Sequence, residues 1–173
     1  MIDIVKSTLI GKVNPALVHE LNVAGITAVG LNGFDGTLLE STYLDKETYG
    51  FVGEVTNVNT ALLDALTAAG IVPVIACIGA TKEGQALNIN GDTVASEIAL
   101  AVKAESLLLV TDVAGIRIHD EYQKEVTEAH INGWIEEGHI YGGMIPKVQG
   151  ALNCLHAGIP SVQIVNDTLT GTT

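Results

Sequence analysis

Four short apolar runs, at 26–31, 71–78, 106–110 and 161–165, each follow a stretch with helical patterning. Asn14-Pro15 reads as a helix start, a capping residue followed by proline at the first helical position, for a helix that ends at Gly25. Asn59 is the expected cap of a helix over 60–69 stopped by Gly70, and Asp92 opens a long helix to Ala104. A further apolar helical run covers 148–157. Strands alternating with helices at this spacing imply crossover connections and therefore a parallel sheet core. Such strands are buried on both faces, which suits a chain that is 47% hydrophobic, only 4% aromatic and carries 19 glycines.

The remaining elements follow from local pattern. Segments 37–43 and 52–58 read as strands, and 71–78 reads as one buried strand with Pro73 near its start. A tight turn at 82–85 is followed by a hairpin arm over 86–90. A second hairpin is expected within 116–126, then a helix through Trp134. Residues 1–10 have a helical pattern with no lead-in, as though from the middle of an element, and 166–173 are loop-like.

The totals exclude several classes. With 173 residues the chain can build one core or a single large lobe. A net charge of −12, with one arginine, Arg117, argues against nucleic acid, which needs a basic surface. No run reaches the roughly 20 apolar residues of a membrane-spanning helix. Asp3 and Lys6 break any signal peptide. Cys77 and Cys154 lack metal spacing and read as reduced, buried thiols of a cytoplasmic protein. The five histidines form no ligand pair at helical spacing, so no metal ligand is assigned.

Residues 141–147 read Y-G-G-M-I-P-K at the mouth of a helix. A first turn is positive and favours Asp or Glu, so Lys147 is out of place there unless it faces an anion or is a solvated surface lysine. The glycine pair, Gly142 and Gly143, lets backbone approach a ligand, and phosphate is the leading candidate. Ligands of open α/β sheets bind beyond the carboxyl ends of strands. Two such ends carry polar groups. In Asn88-Ile89-Asn90-Gly91-Asp92 the two asparagines fall on one side of a strand, and Asp92 stands at a helix start as either an N-cap or a functional carboxylate. Thr111-Asp112 ends another strand, as a ribose or base contact or as ordinary turn residues. A lysine, a glycine-lined nest and an orienting aspartate suit phosphoryl transfer better than Ser-His or Cys-His hydrolysis.

Five motifs then stand in order: G-F-V-G-E-V-T-N-V-N (50–59), P-V-I-A-C-I-G (73–79), N-I-N-G-D-T-V-A (88–95), L-L-L-V-T-D-V-A-G-I (107–116) and G-G-M-I-P-K-V (142–148). In this order and spacing the chain resembles acetylglutamate kinases of the amino acid kinase superfamily, from about Asp3 to Val165. The resemblance implies a three-layer α/β sandwich with a mostly parallel central sheet, truncated at both ends. It implies that 1–70 is the remainder of an acceptor-binding lobe and 71–173 the nucleotide-binding lobe. It also implies phosphorylation of the side-chain carboxylate of N-acetyl-L-glutamate by ATP, with Mg²⁺ held mainly by the nucleotide. Lys147 is similar to the lysine that stabilises the transferring phosphoryl group, and Asp92 to the aspartate that orients the active-site lysines. Asn88, with Asn90, resembles the acceptor-holding segment. Thr111, Asp112, Gly142, Gly143 and Met144 resemble nucleotide contacts. A cytoplasmic homo-oligomer is implied for the full-length protein.

Family members open with a Lys-x-Gly-Gly strand, a Gly-Gly-Gly phosphate loop and an arginine segment; none occurs in these residues. Phe34 and Asn32 also replace the Lys and Ser of the family's S-G-K-D-G loop. The expectation is a family sequence met about a third of the way in, and nearly inactive alone. The competing expectations are another carboxylate or carbamate kinase, and a noncatalytic nucleotide- or metabolite-binding module of the same fold. Asn88 to Asp92 and segment 50–59 favour acetylglutamate kinase.

Overall fold

Asn14 and Pro15 lie inside a continuous helical stretch and do not begin one. In the computed structural model, which describes residues 1–111, 116–118, 121–123, 126–142 and 144–166, helix α1 (Ile2–Thr8) runs through a π-helical turn (Leu9–Val13) into α2 (Asn14–Val23). Val13 and Asn14 both have helical backbone angles. Proline has no N–H and its ring crowds the carbonyl four residues back, and a widened π turn is one way a helix accommodates this. The Asn14 side chain makes no cap. It is buried, and its amide donates to the Val74 carbonyl at 2.8 Å.

The described chain forms two units, Met1–Ala101 and Val102–Thr173. In the first, α2 ends at Val23 and the chain turns away at Gly25, whose φ of +85° suits a residue without Cβ. Strand β1 (Ala28–Leu31) follows, then a short 3₁₀ turn (Asp35–Thr37) and β2 (Leu39–Tyr43). After α3 (Lys46–Tyr49), strand β3 (Gly53–Val58) pairs antiparallel with β2. Helix α4 (Thr60–Ala68) begins where expected, but the Asn59 side chain accepts no N–H of the helix; its amide donates to the Gly36 carbonyl at 2.7 Å.

The run 71–78 is two strands where one was expected. Strand β4 (Val72–Ile75) pairs parallel with β1, whereas β5 (Ile78–Ala80) belongs to another sheet. The break is a tight turn in which the Ile78 N–H bonds the Ala76 carbonyl at 2.8 Å, a three-residue closure that redirects the chain. Strand β6 (Ala86–Asn88) completes the order β3-β2-β5-β6, in which β2 and β5 are parallel and the outer pairs antiparallel. Helix α5 (Gly91–Ala101) stops short of Ala104. One part of the core joins Ile2, Ile78 and Ala86, flanked by Val5, Leu9, Ile10 and Phe34.

In the second unit β7 (Leu107–Thr111) pairs parallel with the final strand, β10 (Val162–Asn166), through a crossover that includes α6 (Glu128–Glu136) and α7 (Met144–His156). The expected hairpin is β8 (Arg117–Ile118) with β9 (Glu121–Tyr122). Ile116, Ile118, Ile131, Ile140, Val148 and Leu152 form its core. The parallel pairs β1/β4 and β7/β10, each followed or preceded by helices, give the α/β class that the alternating pattern predicts. No described helix is long and apolar enough to cross a membrane.

Candidate functional site

The β5–β6 hairpin builds the segment that carries the two asparagines. Ile78 pairs with Asn88 and Ala80 with Ala86, and the Thr81 N–H closes the turn on the Gln85 carbonyl at 2.9 Å. Leu87 and Ile89 are 0% and 2% exposed. Asn88, alternating between them, is half-buried. Its backbone N–H donates to the Phe51 carbonyl at 2.9 Å, and a parallel bridge joins it to Val52. Among the described residues its side-chain amide makes no hydrogen bond, so it is held in place by its backbone with its polar end available.

Asn90 stands in a different local setting from Asn88. The strand ends at Asn88, and Asn90 is exposed beyond it, so the two are not neighbours on one strand face. The Asn90 Oδ1 accepts from the Thr93 N–H at 3.2 Å, and its carbonyl accepts from the Val94 N–H at 3.0 Å. Asn90 is thus the N-cap of α5, the role sequence alone could have given to Asp92. Asp92 sits half-buried in the first turn with a side-chain or backbone partner of its own, and its carbonyl accepts the Ser96 hydroxyl at 2.8 Å. A carboxylate there is favoured by the helix dipole.

The close packing behind this segment needs glycine. The Gly33 N–H donates to the Ile78 carbonyl at 2.7 Å, and a Cβ on Gly33 would run into that carbonyl and the Gly79 backbone. A Cβ on Gly79 would meet the Ser41 hydroxyl and Ile89. Cys77 contributes its carbonyl, which accepts the Ile89 N–H at 3.0 Å. Burial pushes the Cys77 thiol up from its ordinary value, against a smaller lowering by a backbone hydrogen bond.

In the second unit, Gly142 turns the chain with φ +58° just ahead of α7. The Met144 N–H bonds the Tyr141 carbonyl and the Ile145 N–H bonds the Gly142 carbonyl, both at 3.3 Å. Pro146 falls in the first turn of α7, where its missing N–H costs nothing. Lys147 is half-buried and engaged with a partner, and Val148, next along the helix, is fully buried. Helix α7 is therefore anchored immediately after the lysine. Thr111 closes β7 in register with Asn166. Asp112 and Gly143 lie outside the described residues. Among those described, no group of three or more His, Cys, Asp or Glu stands close enough to hold a metal ion.

Sequence reading missed two roles, that of Asp45, which caps α3, and that of Phe51, whose carbonyl accepts the Asn88 N–H. The signal was present in Asp45-Lys46-Glu47-Thr48, a capping residue before a short helix, but four residues are too few to show periodicity.

The family model described as the amino acid kinase family matches residues 1–166. The chain belongs to the amino acid kinase family. Among its curated relatives, the acetylglutamate kinase of Halalkalibacterium halodurans is 43% identical over 166 residues, 96% of this chain and 64% of the relative. The chloroplastic acetylglutamate kinase of Arabidopsis thaliana is 45% identical over 169 residues, 95% of this chain and 49% of the relative. This amino acid kinase chain thus spans 49–64% of the length of those relatives. Of the solved structures, that of smu.665 from Streptococcus mutans UA159 matches with a TM-score of 0.88 and 34% identity, over 96% of this chain and 68% of that one. An N-acetylglutamate synthase from Neisseria gonorrhoeae, complexed with coenzyme A and N-acetyl-glutamate, shares the fold at a TM-score of 0.79 and 22% identity.

Proposed function

We propose that this chain serves an acetylglutamate kinase, transferring the γ-phosphoryl group of ATP to the side-chain carboxylate of N-acetyl-L-glutamate to give N-acetyl-L-glutamyl 5-phosphate, a step of arginine biosynthesis in the cytoplasm. The observation that carries this reading is 43–45% identity to proteins of that name across 95–96% of the chain. In this reading Asn88 contacts the acceptor, and Asn90 supports it by starting α5. Asp92 orients cationic groups at the reaction centre. Lys147 neutralises charge on the transferring phosphoryl group. Thr111, Asp112, Gly142, Gly143 and Met144 contact the nucleotide. Residues 1–70 then serve the acceptor and 71–173 the nucleotide, in a protein that self-associates at full length.

The donors present suit MgATP. A left-handed glycine ahead of a helix and a lysine in its first turns favour a polyphosphate, and in this reading the Mg²⁺ comes with the nucleotide. ATP supplies an activated phosphoryl group; the protein supplies position and countercharge. These 173 residues contain no Lys-x-Gly-Gly strand and no Gly-Gly-Gly loop. Since removing even one charge-stabilising donor typically costs about 10²–10³ in rate, the chain by itself is expected to turn over far more slowly than the usual 1–100 per second, roughly, of a kinase.

Calorimetric titration with MgADP tests the nucleotide half. Binding by the wild type that weakens in Lys147→Ala and in Asp112→Ala supports the reading. Absence of binding by the folded wild type removes the nucleotide role from this chain.

A further inference from the structure

We propose that Asp45 is a positioning residue for the Asn88 amide, acting through the connection between β2 and β3. The proposal rests on the reading of Asn88 as an acceptor contact. Tyr43 and Gly53 are paired at the ends of β2 and β3, so two to five linking residues would suffice for a hairpin. The chain instead spends residues 44–52 on an excursion that contains α3. The excursion is closed at its base by the Leu44 N–H on the Val52 carbonyl at 3.1 Å.

Two features define α3. At its start, one carboxylate oxygen of Asp45 accepts from the backbone N–H groups of Glu47 and Thr48, at 3.0 and 3.1 Å. At its end, Gly50 takes φ +66° after its N–H bonds the Lys46 carbonyl at 3.1 Å. Phe51 follows at once, its ring 6.3 Å from that of Tyr43, over which the Lys46 ammonium sits at 4.9 Å. The Phe51 carbonyl accepts the Asn88 N–H, and Val52 bridges Asn88. Asn88 is therefore gripped on one side by Ile78 of β5 and on the other by the end of this excursion.

The consequence is asymmetric. Unwinding α3 frees the Phe51 carbonyl while the Ile78–Asn88 pairing persists, so strand β6 survives but its last residue loses one of two anchors. A side chain aimed from a strand end depends on both. Asp45 touches no substrate in this account; it fixes the direction of a group that does.

The test is calorimetric titration of the chain with N-acetyl-L-glutamate, with NMR of the side-chain amide in every variant that keeps Asn88, in parallel with MgADP calorimetry. Asp45→Ala should weaken N-acetyl-L-glutamate binding by about five- to tenfold, as loss of one cap would, with MgADP affinity unchanged. Asp45→Asn and Asp45→Ser, which keep a capping oxygen, should restore it, and Glu47→Ala should leave it as in the wild type. Unchanged N-acetyl-L-glutamate affinity in Asp45→Ala, with binding lost in Asn88→Ala, overturns the positioning role alone. Equal loss of both ligands in Asp45→Ala also overturns it, since that is general unfolding. Absence of N-acetyl-L-glutamate binding by the wild type, or binding unchanged in Asn88→Ala, overturns the acceptor reading and the positioning role with it.

Discussion

The side-chain amide of Asn14 donates to the main-chain carbonyl of Val74, sixty residues away in sequence, at 2.8 Å. This bond ties the start of α2 to β4, and it works only because Gly30 of the neighbouring β1 has no Cβ: one built there would collide with the Asn14 Oδ1. Removing the amide takes one donor from the half-buried Val74 carbonyl and empties the buried Asn14 site. Asn14→Ala should therefore cost about 1–3 kcal/mol in urea denaturation. Gly30→Ala should be destabilising in the wild type and much milder in the Asn14→Ala background, a coupling that a double-mutant cycle measures directly.

Asn88 and Asn90 should separate cleanly. Asn90→Ala removes the cap of α5 and should lower stability by about 0.5–2 kcal/mol, while Asn90→Asp should recover most of it. Asn88→Ala breaks no described hydrogen bond, so its thermal midpoint should stay near that of the wild type while N-acetyl-L-glutamate binding is lost. Thermal unfolding and NMR titration of the two variants distinguish a fold role from a ligand role.

Gly33 faces backbone, not flexible side chains. Gly33→Ala has to push the Ile78 carbonyl and the Gly79 backbone apart, and should destabilise by about 1–3 kcal/mol. Gly91→Ala meets nothing within 4 Å and should change little, so the pair calibrates what close packing behind the Asn88 segment is worth. Denaturant midpoints of both variants check this.

Hydrogen bonds from Thr48, its side chain first and its backbone second, together with that from the Glu47 N–H, hold the Asp45 carboxyl below its ordinary value of 3.8 despite a small opposing effect of desolvation. A depressed folded-state value means that the cap is fully formed above the ordinary aspartate value and is lost as pH falls through the lower, folded one. The protection factor of the Thr48 amide should thus hold down to about pH 4 and fall below it. In Asp45→Asn it should show no such step.

Cys77 runs the other way. Its thiol is raised by burial, so the folded state favours the neutral form, and that contribution is present below the unfolded thiol value and lost as pH rises through the folded one. Stability should decline on the alkaline side, less so in Cys77→Ser. Cys154, 1% exposed, should react with an alkylating reagent only on unfolding. Mass spectrometry of the labelled protein at neutral pH checks both thiols.

The large elements were legible because each announces itself locally. The helix from Thr60 stops at Gly70, the 86–88 arm follows a polar turn, and β7 and β10 are apolar runs of strand length. What misled were residues whose local signal was outbid by a distant partner. Asn14 and Asn59 look like caps, yet each sends its amide to a carbonyl elsewhere, Val74 and Gly36. The apolar run at 71–78 gave no hint of its division, because both halves are apolar and the turn at Ala76 is a backbone event. At the candidate site, spacing singled out Asn88 and Lys147 as candidates, and the structure places them on β6 and α7. Spacing could not tell which of Asn90 and Asp92 caps α5, because both types cap and the choice is set by where β6 ends.

The π turn at Leu9–Val13 leaves the helix one residue out of step with itself. Each residue advances a helix by about 100°, so the extra one swings everything after it by that angle. Ahead of the turn Ile2 enters the core beside Ile78 and Ala86; past it Asn14 reaches Val74. Removing any single residue from 9–13 would restore a regular spiral and point one of these two side chains at water. Along this stretch the number of residues is under tighter constraint than their chemistry.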